Sequence, residues 1–182
     1  MALALRASSA RLRRSWRALV LALAAFGAPA LAQAPPALAP LRFLLGTWES
    51  VPAGDPAAGT GRATFAAAAQ GRVIVRTSYA EYPAAAGRPA SRHDDVMTIY
   101  VERETVRAHY VDSEDHVIRY VVTTPASDRA VFLSEAVAGE PRYRLTYTAV
   151  ASGAVDGRFE IAPPGAPEAF RTYLSWTTRR VN

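Results

Sequence analysis

The sequence predicts an all-β fold: a single antiparallel up-and-down barrel of about ten strands, with a short N-terminal helical turn as its plug. Three observations carry this. From Trp48 onward, short runs rich in Val, Ile, Thr and Tyr recur, broken by Gly, Pro, Asp and Ser, at the spacing of roughly ten residues typical of all-β sandwiches and barrels. Within those runs apolar and polar residues alternate. Tyr143, Leu145 and Tyr147 alternate with Arg144, Thr146 and Thr148; Val155, Phe159 and Ile161 with Asp156, Arg158 and Glu160; Phe170, Leu174 and Trp176 with Arg171, Tyr173 and Ser175. Such segregation means that the two faces of the sheet meet different surroundings. Third, the apolar turn 41–45 breaks at Gly46 and enters the first strand through Trp48, an arrangement able to close one end of a barrel.

In chain order, residues 1–32 read as a secretory signal peptide. Arg6, Arg11, Arg13, Arg14 and Arg17 form a basic start with no acidic residue, the stretch 18–26 is a short apolar run, and Ala30-Leu31-Ala32 is a small-x-small cleavage site. The apolar run is too short to span a bilayer, which takes about 20 residues. Export to the periplasm or the outside is therefore expected, with no stable membrane insertion after cleavage. Residues 33–40 are Pro/Ala-rich and read as a flexible leader, and residues 41–182 as the barrel domain.

Five of the 21 basic residues lie in the leader, so the remainder carries as many basic as acidic residues, 16 of each. The mature domain is close to neutral, which argues against a nucleic-acid surface. There is no Cys, so thiol catalysis, thiolate metal sites and disulfide staples are excluded. The core must hold the domain together, and a domain of this size buries about 70% of its unfolded surface.

The strands are expected near 46–51, 60–68, 72–82, 94–102, 105–112, 116–124, 130–135, 142–150, 154–162 and 169–179. A two-residue turn at Arg103-Glu104 pairs Val101 with Val106, Ile99 with Ala108 and Met97 with Tyr110, placing apolar partners together. A three-residue turn at Ser113-Glu114-Asp115 pairs Tyr110 with Ile118 and Ala108 with Tyr120. A slip by one residue would flip the face, and these two registers agree on which side of the shared strand points inward.

The stretch Phe43-Leu44-Leu45-Gly46-Thr47-Trp48-Glu49 resembles the N-terminal motif of the calycin, or lipocalin-like, barrels: a short helix, then Gly-x-Trp entering strand one. In those barrels a basic residue near the C-terminus packs over the Trp, and Arg179-Arg180 stand where that partner would be. The chain resembles secreted bacterial lipocalin-like proteins of unassigned function and, more distantly, nitrobindin. Nitrobindin-like barrels hold haem through a His near the C-terminus. No His lies beyond His116 here, so no haem, and no other cofactor, is carried over.

The expected interior comprises Tyr79, Met97, Ile99, Tyr110, Ile118, Tyr120, Tyr147 and Trp176, with Tyr143 beside them. A buried phenol needs a hydrogen-bond partner, so several in one interior suggest a cavity holding water or an amphipathic ligand. The expected function is binding of a small apolar or amphipathic molecule inside the barrel. Extending the registers puts Asp95 opposite Asp112, and Asp112 opposite His116, with His93 on the same inward rim. Facing carboxylates repel unless a cation relieves them. A metal-binding protein or metal-dependent enzyme using His93, Asp95, Asp112 and His116 is thus the alternative. A filled barrel serving as an envelope interaction module is another. The connection 83–92, rich in Pro, Ala and Gly, is long for a hairpin and placed to act as a lid. No nucleophile elbow, phosphate-binding loop or His-Glu-x-x-His is present.

Overall fold

The computed structural model of the protein describes residues 35–51, 59–85 and 87–181. The expected signal peptide lies outside the described residues. The first element is a 3-10 helix, Pro36–Leu44, with Leu38, Leu41 and Leu44 buried. A 3-10 helix turns every three residues, so this spacing puts all three leucines on one stripe facing the barrel. The plug therefore begins before Leu41. Residues 36–40, expected as part of a flexible leader, belong to the helix because Leu38 is drawn into the core with the other two.

Ten strands follow: β1 (Gly46–Ser50), β2 (Thr60–Ala68), β3 (Val73–Tyr82), β4 (Ser91–Glu102), β5 (Thr105–Asp112), β6 (Val117–Ala126), β7 (Arg129–Ser134), β8 (Arg142–Ala149), β9 (Val155–Ala162) and β10 (Arg171–Val181). Each is hydrogen-bonded to its sequence neighbours, and β10 closes on β1 to complete the barrel. Closure removes every free sheet edge. The Thr47–Val181 and Trp48–Arg180 pairings form the seam.

The hairpin registers match the pairing expected from the sequence: Val101 faces Val106, Ile99 faces Ala108, Met97 faces Tyr110, Asp95 faces Asp112, and Tyr110 faces Ile118. Arg103 and Glu104 both take positive φ, as does Asp115. These are the left-handed positions that a two-residue and a three-residue hairpin loop demand.

Trp48 is buried, and its indole Nε1 donates to the Leu44 carbonyl at 2.6 Å. The Arg180 guanidinium lies over the indole, 4.4 Å from the ring centroid, and donates to the Leu45 carbonyl at 2.5 Å. Gly46 is required here. It sits at φ +122°, and a Cβ would lie 2.1 Å from the Arg180 Nη1. The Gly-x-Trp spacing thus leaves room for the arginine that covers the Trp. Arg179, the other expected partner, points to the opposite face beside Glu49, because neighbours on a strand alternate.

The half of the interior next to the plug is filled. Phe65 and Tyr147, Phe132 and Tyr147, and Tyr120 and Phe132 meet edge to face at 5.7–6.1 Å. Met97 and Ile99 have 0% accessible surface. A side chain bordering a ligand-sized cavity would keep accessible surface, so Met97 and Ile99, with the nearly sealed Ile118 and Tyr147, are packed core rather than pocket lining.

Two strands depart from the expected phase. On β3 the sequence reading places Tyr79 inward, yet Ile74 and Arg76, on the opposite phase, are the buried residues. Tyr79 lies outside, pairing with exposed Asp94 and covered by the Arg92 guanidinium 4.2 Å from its ring centroid. The phase is set by pairing with β4, where Arg76 lies opposite Met97. On β10 a bulge between Thr172 and Leu174 shifts the register. Leu174 and Trp176 stay on the inner phase, while Phe170 lies outside under the Arg144 guanidinium, at 4.2 Å.

Candidate binding site at the open end

Opposite the plug, the barrel mouth is framed by the ends of β3, β5, β7 and β9 and the starts of β4, β6, β8 and β10. Its polar side begins with Arg76. The guanidinium is buried, donates from Nε and Nη2 to Asp95 Oδ1, donates from Nη1 to the Tyr147 hydroxyl, and stands 5.7 Å from the Tyr110 ring centroid. Burial works against its charge, but Tyr147 and Asp95 outweigh that effect and hold its pKa above the ordinary value. This arginine relieves the repulsion that facing Asp95 and Asp112 would otherwise feel. Sequence reading missed Arg76 because the phase of β3 was misread. The signal was present: two inward carboxylates require a cation on a neighbouring strand, and an arginine sits mid-strand in β3.

Asp112 anchors the rest. Its Oδ1 accepts the backbone N–H groups of Glu114 at 2.9 Å and His116 at 3.0 Å. The Tyr110 hydroxyl donates to Oδ2 at 3.0 Å, and His116 Nδ1 lies 3.0 Å from the same oxygen. Burial alone would raise the Asp112 pKa, but the two amides, with Tyr110 and His116, bring it below the usual carboxylate value. Tyr110 is pushed up by burial and by the adjacent Asp95 and Asp112.

These contacts fix hydrogen positions. A carboxylate only accepts, so His116 Nδ1 carries a proton. Tyr110 spends its hydrogen on Asp112, so His93 Nε2, 3.0 Å from the Tyr110 hydroxyl, is the donor in that contact. His93 Nδ1 is left facing Glu114 Oε1 at 3.4 Å.

The four residues expected as a metal cluster, His93, Asp95, Asp112 and His116, do meet at one rim. Among the described residues, however, no group of three His, Cys, Asp or Glu side chains is arranged to hold a metal ion. Asp95 is turned to Arg76, and the Tyr110 hydroxyl sits between His93 and Asp112. His93, Tyr110, Asp112 and His116 form a hydrogen-bonded chain at this rim, with Asp95 held beside it by Arg76.

The opposite side of the mouth is aromatic. Tyr143 and Phe159 stack with centroids 5.8 Å apart, Tyr173 meets Phe159 edge-on, and Trp176 meets Tyr147. Gly157 makes room for Trp176, since a Cβ there would lie 2.1 Å from the indole. Tyr143, Phe159 and Trp176 are partly buried, whereas Tyr173 is 67% and Leu174 42% exposed. Of the expected interior residues, Tyr110 and Trp176 border this open half. Between β3 and β4, Ala85 and Arg88 form an isolated bridge, and an open depression of about 580 Å³ is lined by Thr60, Tyr82, Pro83, Ala90 and Arg92.

A closed ten-stranded antiparallel barrel of this kind is consistent with a calycin-like fold. No protein-family model matches the chain, and no curated protein sequence matches it.

Proposed function

We propose that this is an exported calycin-like barrel that binds a small amphipathic molecule in the open half of its interior. One observation carries the reading. Apolar rings keep accessible surface only partly covered at the mouth, directly across from a buried polar chain, while the plug half is filled. Ligand sites are mostly apolar with a few placed polar groups, and the mouth offers both on facing walls. The site is therefore shallower than the sequence suggested, formed by Tyr110, Tyr143, Phe159 and Trp176 in place of Met97 and Ile99.

Native mass spectrometry of protein purified without denaturation tests it. A bound small molecule, released on unfolding and lost in a Phe159→Ala variant, supports the reading. Ligand-free protein that also ignores a fluorescent apolar probe overturns it. Export rests on the composition of residues 1–32 and predicts a mature N-terminus at Gln33. A purified protein that still starts at Met1 would refute export.

A further inference from the structure

The outer wall of the barrel carries an apolar row that the interior does not use. Val96 on β4, Val111 on β5 and Val117 on β6 are direct partners across the sheet, Val96 with Val111 and Val111 with Val117. Their sequence neighbours Met97, Tyr110 and Ile118 face inward, so the three valines point outward by alternation. They are 47%, 44% and 60% exposed. Among the described residues seven large apolar side chains stay exposed, and these three stand in one line. Singly exposed apolar residues are ordinary, whereas a contiguous patch marks an interaction surface.

The charges beside the row decide what fits it. The ion pairs of this face are Arg92 with Glu81 and Asp94, and Arg107 with Glu102 and Glu135. Arg119 and Asp115 are exposed and, among the described residues, belong to no ion pair. They flank Val117 on opposite sides. Arg119 lies two residues further along β6, toward the plug and opposite His109, and Asp115 lies two residues before it, in the turn beside the mouth. The strip therefore has a free negative charge at one edge and a free positive charge at the other. Such a surface is complementary to itself. A second copy turned over about an axis along the valine row lays valine on valine and brings its Arg119 to Asp115 of the first. Turned about an axis along the strands, it would set Asp115 beside the partner's Asp94, and like charges oppose that. Residues 33–182 carry 16 basic and 16 acidic residues, so no net charge keeps two copies apart.

We propose that this row is the contact of a weak two-fold dimer. Two barrels pack side by side through Val96, Val111 and Val117 with their strands antiparallel, and Asp115 and Arg119 pair reciprocally across the axis. The strip is small beside a standard interface of about 1,600 Å², so association depends on concentration. It lies on the outside of the wall, and the two mouths open at opposite ends.

Sedimentation equilibrium of the full chain across the micromolar range tests this, and a monomer–dimer equilibrium is expected. Val111→Lys sets two ammonium groups against each other at the axis and should weaken the dimer at least about tenfold. The position faces solvent, so the variant should unfold at the same temperature as the unmodified protein. Asp115→Arg and Arg119→Asp each create like-charge contacts and should each weaken the dimer by about tenfold. The double variant Asp115→Arg, Arg119→Asp exchanges the charges and should restore the dimer, a recovery that damage to the fold would not produce. A protein that stays monomeric at every concentration would overturn the proposal and leave the row to a partner other than a copy of this chain. Association that ignores Val111→Lys would also overturn it, since the contact would then lie on another wall or on residues 1–32. A double variant as weak as the single ones would overturn the antiparallel arrangement.

Discussion

The two ends of this barrel solve opposite problems. At the plug end, three leucines from a 3-10 helix meet Trp48, the Trp48 indole donates to Leu44, and Arg180 covers the ring while donating to the same turn. Every polar group named there has a partner. At the mouth, Arg76 is buried with Asp95, several tyrosines share few acceptors, and aromatic rings remain partly bare. A polar network in a barrel core is costly unless fully satisfied, so the polar layer around Arg76 stabilises the barrel less than the plug does.

Breaking the plug should have the largest effect. Trp48→Ala removes a large buried ring together with the platform for Arg180, and should cost about 4 kcal/mol, in the range of large aromatic truncations. Chemical denaturation measures this. A loss below about 1 kcal/mol, as at surface positions, would mean that the plug does not stabilise the barrel.

At the mouth the corresponding break is Asp95→Ala, which leaves the Arg76 charge buried without its carboxylate. Removing one member of a buried pair costs about 3 kcal/mol or more, whereas replacing both by apolar residues is often neutral. The double variant Arg76→Met, Asp95→Leu should therefore recover most of the loss in the same unfolding experiment. If it is no more stable than Asp95→Ala, the pair is not the source of the cost.

What the sequence revealed about these ends follows the same division. The plug was legible because Gly46, Trp48 and a C-terminal arginine are a local motif, and the β4–β5–β6 registers were legible because two turns had to agree on one apolar face. The mouth was legible only where those registers reached it, which brought His93, Asp95, Asp112 and His116 together. It failed at β3, where Val73, Val75 and Tyr79 make the more apolar face and Arg76 enters the core because Asp95 awaits it. It failed again at β10, where a bulge moves Phe170 outside, since nothing in an alternating pattern announces an extra residue. Pairing across the closed sheet overrode the local pattern in the first case, and broke it in the second.

Acid provides a gentler probe of the mouth. The Asp112 pKa is held down in the folded protein, against about 3.9 for an unperturbed Asp. A depressed folded value means that Asp112 stabilises the fold above its unfolded pKa, and that this contribution fades as pH falls through the folded one. Asp112→Asn should thus lower Tm at pH 7, with the gap to the unmodified protein closing as pH is lowered below about 4. A gap that stays constant with pH would show that packing, and not the charge, sets the cost.

The smallest expected effect is the most discriminating, because it compares two tyrosines in the same interior. Tyr147 accepts a hydrogen bond from Arg76, and Tyr120 has no partner among the described residues although it is equally buried. Deleting one partner of a buried bond strands the other, at a cost of about 1–3 kcal/mol. Deleting a hydroxyl that bonds to nothing strands no group and removes a desolvated polar atom. Tyr147→Phe should therefore destabilise the barrel by roughly 1–2 kcal/mol, while Tyr120→Phe should leave stability unchanged within about 0.5 kcal/mol or raise it slightly. Thermal and urea unfolding of the two single variants, side by side, decide the matter. Equal losses would mean that the Tyr120 hydroxyl is held in solution, by an ordered water or by a neighbour that swings toward it, and the contrast between a satisfied and an unsatisfied half of the polar layer would disappear. A loss confined to Tyr147 would show that the Tyr120 hydroxyl does not help to hold the fold together.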